Sequence, residues 1–281
     1  MGGIRSQRVV RAAARAAAVV GVSVSMAAGA VSASAAPAWA PASGATVHPG
    51  VMTFTNGAQC TSNFVYTDGS NVYLGQAAHC SGTGGSTSTN GCTSPSLPLG
   101  TQVQVTGASK PGVLVYNSWL TMQARHESDP NACAYNDLAL IKLDPTDVGK
   151  VNPSIPFWGG PNGLNTSGAP GGSTVVSYGN SKLRQGISVL SPKDGISLGD
   201  TGAGWSHTVL TVTPGIPGDS GSAFLDANGH ALGILSTLNI APGAGTNGVG
   251  DLGHEVAYMR AHSAFSSVTL APGTEPFNRP L

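Results

Sequence analysis

Apolar residues in this chain fall in short runs that alternate with polar ones and are punctuated by glycine and proline. Phe64-Val65-Tyr66 and Val72-Tyr73-Leu74 flank Thr67-Asp68-Gly69-Ser70-Asn71, two β-rich runs around a glycine-containing turn, and predict a hairpin that leads to His79. In Gly100 to Thr106, Val103 and Val105 alternate with polar neighbours, the period of a half-buried strand. Tyr135 to Leu143 places Asp137 ahead of Leu138, Ala139, Leu140, Ile141 and Leu143. A carboxylate at the head of such a strand is at least partly buried and needs a partner. Further strands are predicted at Thr174 to Tyr178, Gly186 to Leu190, His207 to Thr213, Ser222 to Leu225 and Ala231 to Leu238. Only Leu252 to Phe265 shows convincing helical spacing, at Leu252, Val256 and Met259, with no proline. Many short strands and one helix read as an all-β sandwich or barrel.

Composition sharpens this picture. The 281 residues include 40 glycines, about twice the usual share, and only 9% are charged. Residues Met1 to Ala36 have the anatomy of a secretory signal. Arg5, Arg8, Arg11 and Arg15 precede an apolar run from Ala16 to Ala30, and Ala33-Ser34-Ala35 offers a small-residue cleavage site. The run is short and no second one follows, so no membrane association is expected once the signal is removed. The four arginines carry the whole charge of the leader; without them the chain has nine basic against 13 acidic residues. Nothing there argues for nucleic acid. Four cysteines in an exported chain, Cys60, Cys80, Cys92 and Cys133, predict disulfides, with three connectivities open. No Cys-x-x-Cys pair supports zinc, and His254, Glu255 and His262 are spaced as His-Glu-x6-His, so they read as a solvated helix face. Neither metal nor organic cofactor is expected.

The candidate chemistry lies in three segments: Ala77-Ala78-His79-Cys80, Asn136-Asp137-Leu138-Ala139-Leu140-Ile141 and Gly218-Asp219-Ser220-Gly221-Ser222-Ala223. Glycines beside a reactive hydroxyl allow a sharp turn and let a carbonyl approach main-chain N–H groups. Amide hydrolysis near neutral pH needs a serine assisted by a histidine, itself oriented by a carboxylate. Together these segments, in the order His, Asp, Ser, resemble the chymotrypsin/trypsin-like serine proteases, in particular their secreted actinobacterial branch. An α/β-hydrolase esterase is disfavoured, because Gly-x-Ser-x-Gly is not satisfied around Ser220 and the order there is Ser, Asp, His.

The resemblance covers Gln59 to Phe265 and implies two six-stranded antiparallel barrels with the active site between them, and a C-terminal helix. The corresponding layout is a signal at 1–36, a short, loosely held arm at 37–58, a first barrel at about 59–145, a linker at about 146–172, a second barrel at about 173–250, the helix at about 252–265, and a tail at 266–281, of which Pro272 to Leu281 is expected to fray. It further implies Ser220 as nucleophile, His79 as general base, Asp137 as orienting carboxylate, the N–H groups of Gly218 and Ser220 as the oxyanion hole, and a Cys60–Cys80 bridge that leaves Cys92–Cys133. Pro214 corresponds to the pocket base, and Ser236-Thr237-Leu238 to the strand that pairs with substrate. With no acid near Pro214, and with Leu238 where a glycine is usual, a small or medium apolar residue is expected before the scissile bond of a protein or peptide substrate. The lead-in Leu74-Gly75-Gln76-Ala77-Ala78-His79-Cys80 is one residue longer than the family's and suggests a bulge. There is no cleavage signal for a new N-terminus, so Asp219 must find another partner among Arg125, Arg184, Arg260 and Arg279. A secreted, monomeric endopeptidase is the resulting reading; the rival is a catalytically weak or inactive protease-like scaffold that binds other molecules.

Overall fold

The computed structural model describes residues 1–3, 37–85, 88–238 and 245–279, so the leader's apolar run and cleavage site lie outside the described residues. From residue 37 onward the chain is almost wholly antiparallel. Strands β1 (Met52–Thr55), β2 (Ala58–Thr61), β3 (Val65–Thr67), β4 (Val72–Ala77), β5 (Gln102–Val105), β6 (Gly112–Asn117) and β7 (Leu138–Lys142) form the first sheet together with β14 (Thr269–Leu270), in the order β14-β3-β4-β7-β6-β5-β1-β2. Strands β8 (Thr174–Tyr178), β9 (Pro192–Thr201), β10 (Ser206–Thr211), β11 (Ala223–Asp226), β12 (Ala231–Leu238) and β13 (Thr246–Asp251) close into a six-stranded barrel. The second unit is the barrel expected; the first recruits two more strands than six, one of them from the C-terminal end.

Side-chain alternation along single strands explains how the two units share residues. Ala139 and Ile141 of β7 point into the core of the first sheet, with Val65, Leu74 and Leu114, while Leu138 and Leu140 point into a second cluster between the units. That cluster also takes Val176, Ala223, Leu225 and Ile234 from the barrel and Leu252, Val256 and Met259 from helix α3 (Leu252–His262). Phe224, one residue on from Ala223, faces the barrel's own interior with Val175, Val209 and Leu235. Each such fully buried aliphatic side chain stabilises the fold by about 2 kcal/mol. β7 and β11, which lead away from Asp137 and Ser220, are therefore buried on both faces and rigidly placed.

Several expectations need correction. The strand expected at Gly186 to Leu190 is a 3-10 turn at Ser188–Leu190, and the chain enters β9 only at Pro192. Gly186 lies at φ +78°, which interrupts extended backbone, and Val189 is exposed. Two short helices were not anticipated, α1 (Ser118–Arg125) and α2 (Pro130–Tyr135). Asn117 caps the first by accepting from the N–H groups of Trp119 and Leu120; Asp129 caps the second, ahead of Pro130. The N-terminal arm is not loose: Val47 is buried and bridged to Val151, and Met52–Thr55 is strand β1. Nor does the tail fray along its described length. The Ser154 hydroxyl accepts from the N–H groups of Thr274 and Glu275, and Asn278 N–H donates to Trp158 O. No bulge precedes His79, because the β4–β7 register runs unbroken from Tyr73↔Lys142 to Ala77↔Leu138. Gln76 within this strand is fully buried, and its Oε1 accepts from Thr53 Oγ1 at 2.9 Å.

One buried ion cluster ties the barrel to its helix. The fully buried His207 ring of β10 sits between Asp200 of β9, 2.6 Å from Nδ1, and Asp251, 2.9 Å from Nε2. Asp251 also caps α3 by accepting from the N–H of His254 at 2.8 Å. Burial alone would lower the His207 pKa, but the hydrogen bonds and charges of Asp251 and Asp200 outweigh it and raise it above 6.5. Burial would raise the Asp251 pKa, and His207 with the helix N-terminus holds it below 3.8. The histidine's contribution is therefore complete below pH 6.5 and fades as pH rises through its folded value; the aspartate's is complete above 3.8 and fades on further acidification. His207→Leu is expected to cost about 3 kcal/mol at pH 5.5, the low end for a broken buried pair because Asp200 stays partly in water. Urea unfolding at pH 5.5 and pH 9 checks this, and a deficit that does not shrink at pH 9 would contradict the assignment.

Candidate active site

A cleft of about 490 Å³ opens between the units, and His79, Asp137 and Ser220 all line it. His79 lies in a 3-10 turn at Ala78–Ser81 that β4 delivers and the Cys60–Cys80 disulfide staples to β2. Asp137 is the residue before β7, and Ser220 belongs to the tight loop before β11. The second disulfide, Cys92–Cys133, fastens the loop after His79 to α2.

Asp137 is 2% exposed, and both its carboxylate oxygens are engaged. Oδ1 accepts from the His79 main-chain N–H at 2.8 Å, and Oδ2 lies 2.6 Å from His79 Nδ1 and accepts from the Ser236 hydroxyl at 2.6 Å. With Nδ1 protonated toward the carboxylate, Nε2 carries the lone pair. Burial by itself would lower the His79 pKa; the charge and hydrogen bond of Asp137 outweigh it and raise it above 6.5.

Behind Asp137 stands Glu255, which was expected on a solvated helix face and is instead fully buried. Its Oε1 accepts from the Asp137 N–H at 2.8 Å. Burial, then the nearby charges of Asp137 and Asp251, push its pKa well up, against that hydrogen bond. The signal for its burial was present in the sequence, since Leu252, Glu255, Val256 and Met259 share one helical face.

The Ser220 loop is fixed from below. Asp219 is fully buried, and its Oδ2 meets Arg184 Nη2 at 2.5 Å and Lys193 Nζ at 3.0 Å. Arg184 is the partner left open among the arginines; Lys193, a fully buried lysine on β9, was not anticipated. Burial lowers the Lys193 pKa, Asp219 partly restores it, and Arg184 lowers it again, leaving it below 10.5. The Ser181 N–H donates to Asp219 Oδ1 at 3.0 Å, and the Ser181 hydroxyl donates to Pro217 O at 2.5 Å. Because the peptide is planar and trans, pinning Pro217 O turns the Gly218 N–H to the opposite side. Gly218 O in turn accepts from Gln59 Nε2 at 2.9 Å and Thr61 Oγ1 at 2.8 Å. Among the described residues, neither the Gly218 nor the Ser220 N–H donates to a protein acceptor. Only glycine fits at 218 and 221, where φ is +94° and +86° and a Cβ would meet Ser181 Oγ at 2.8 Å and Thr61 O at 2.6 Å.

Of the residues read as a pocket, Ser236, Thr237 and Leu238 line the cleft, but Pro214 does not; its carbonyl accepts from Arg184 at 3.0 Å. Asn247 of β13 lines the cleft in its place, a position that spacing alone could not flag. Among the described residues, the grouping closest to a metal site is Cys60, His79 and Cys80, whose two sulfurs are spent in a disulfide. No described helix is long and apolar enough to cross a membrane.

No known family model matches the sequence, and no curated protein matches it either. Solved structures do. Thermobifida fusca protease A is 16% identical over 82% of this chain and 100% of its own, with a TM-score of 0.51. Cellulomonas bogoriensis chymotrypsin is 18% identical over 80% of this chain and 98% of its own, at 0.48, and Nocardiopsis protease 18% over 80% and 98%, at 0.46. With a closed barrel, a second antiparallel sheet, a C-terminal helix and the site in the cleft between the units, the chain has the fold of the chymotrypsin-like serine proteases.

Proposed function

We propose that this chain is a secreted serine endopeptidase that cleaves peptide bonds through an acyl-enzyme. The observation that carries the reading is the buried Asp137 carboxylate holding His79 by ring and backbone in the cleft that Ser220 also lines. Ser220 attacks the carbonyl, His79 Nε2 takes its proton and later returns it to the leaving amine, and Asp137 stabilises the imidazolium. The N–H groups of Gly218 and Ser220 receive the developing oxyanion. Esterase activity on small activated esters accompanies such chemistry. The two disulfides suit an oxidising, extracellular setting. Internal cations on Asp219 hold the loop where relatives activated by cleavage use a newly cut N-terminus.

A fluorophosphonate probe tests the assignment. Labelling of the exported, disulfide-bonded protein, abolished in Ser220→Ala and His79→Ala, is the expected result; no labelling of the folded protein would favour the non-catalytic scaffold. The base must be neutral to act, so kcat/KM is expected to rise with pH with its acid limb centred above 6.5, the side to which Asp137 moves His79. A limb centred below 6.5 would count against the pair. At the anchor, two cations share one carboxylate oxygen, so removing Lys193 leaves a balanced pair whereas removing Arg184 also releases Pro214. Arg184→Met is expected to lower kcat by roughly 100-fold, the scale of one lost oxyanion donor, and Lys193→Met by far less. Equal losses in the two variants would refute this division of labour.

A further inference from the structure

We propose that Asn247 is the residue that sets specificity, by closing the floor of the pocket beside Ser220 so that a short apolar side chain, alanine above all, is accepted before the scissile bond. This rests on the peptidase reading and goes further by naming the residue responsible and narrowing the expected apolar side chain to alanine. The pocket lies between two walls, the 215–218 segment and the end of β12. Asn247 joins them. Its Oδ1 accepts from the Gly215 N–H at 2.8 Å, and its Nδ2 donates to Gly215 O at 3.4 Å and to Thr237 O at 3.3 Å. The side chain is fully buried yet lines the cleft, so it fills space that a longer substrate side chain would need.

Two further features fix the chemistry of the pocket. Both amide hydrogens of Asn247 and one lone pair of its oxygen are engaged by backbone, so it offers no donor to a charged or amide side chain. Asp137 is the one carboxylate among the described lining residues, and it is already occupied by His79 and Ser236. Beside the amide, Leu235 packs closely on Gly215, where a Cβ would lie 2.4 Å from Leu235 Cδ1, so this wall of the pocket is apolar and closely packed. A lysine or arginine would meet no counter-charge, and a phenylalanine would meet the Asn247 amide.

The test combines turnover with equilibrium binding. Peptides carrying Gly, Ala, Val, Leu or Phe before the cleaved bond are compared on the natural chain, Asn247→Ser and Asn247→Gly, with active sites counted by the fluorophosphonate probe. In a Ser220→Ala background, calorimetry compares acetylated product peptides ending in Ala or Phe. The natural chain is expected to favour Ala, and Asn247→Gly to raise the Phe-to-Ala ratio of kcat/KM by roughly 100-fold, the scale on which one pocket group discriminates. Asn247→Ser, which keeps an acceptor for the Gly215 N–H, should fall between and covers the case in which the glycine variant does not fold. An unchanged ratio in folded, labelled variants overturns the assignment, as does a natural chain that prefers Phe or Arg. A chain that does not label but binds the Ala-ending product better than the Phe-ending one, with the preference lost in Asn247→Ser, sinks the peptidase reading alone.

Discussion

The structure hinges on one buried carboxylate. Asp137 sits at the head of β7, and its three carboxylate contacts come from His79 on the first sheet, twice, and Ser236 on the barrel. Its N–H is taken by Glu255 on the C-terminal helix, and its carbonyl by the N–H of Ala78. A buried charge is tolerated only when its lone pairs are filled. Satisfying that demand forces the first sheet, the barrel and α3 into one relative arrangement, the one in which the ring of His79 faces the cleft. Packing between the units supplies the bulk of the stabilisation, and this polar node supplies the register.

The Ser220 loop has the opposite problem. Its Gly218 and Ser220 N–H groups meet no protein acceptor among the described residues, which costs stability wherever water is excluded. The neighbouring groups compensate. Pro217 O, Gly218 O and the Asp219 carboxylate are all bound to side chains that reach in from Ser181, Gln59, Thr61, Arg184 and Lys193. The loop is thus rigid through its carbonyls while two of its donors stay available. Gln59 and Ser181 come from opposite units, so the donors are set by the same docking that places His79.

Much of this was legible in the sequence, and the parts that were not share a cause. Strands with strict alternation or continuous apolar runs, such as β5, β8 and β12, stand where the pattern put them, because burial on one or both faces writes itself into the residue order. The 3-10 turn at Ser188–Leu190 misled because its apolar residues are exposed, so hydrophobicity there reports no core. Gly218 and Ser220 became candidates only through the joint occurrence of the His79, Asp137 and Ser220 segments and the resemblance they carry, since a Gly-Asp-Ser-Gly turn alone could simply join two strands. Asn247 and Lys193 could not be found this way, and for Glu255 only the burial was written in its helical face, because each acts through a partner more than 20 residues away, and a single sequence does not encode which distant groups a fold will bring together.

The low charge content gives those distant partnerships their force. Only 9% of the chain is charged, yet Asp137, Asp147, Asp219, Asp251 and Glu255 are each 3% exposed or less, where acidic residues are rarely buried at all. Asp147 holds the turn at Ser109 and Lys110 through their N–H groups, and Asp251 caps the helix and grips His207. The other three lie at the candidate site: Asp137 lines the cleft, Glu255 accepts from its N–H, and Asp219 is the neighbour of Ser220. With few surface charges to create a long-range field, the potential at His79 is governed by its contact with Asp137, and that at the Ser220 loop by Arg184 and Lys193. Placing the charges inside makes each one specific: it acts on a named neighbour at hydrogen-bond distance and is little screened by salt. The same logic applies to the neutral amide of Asn247, which joins Gly215 to Thr237 at hydrogen-bond distance beside the cleft and brings no charge there.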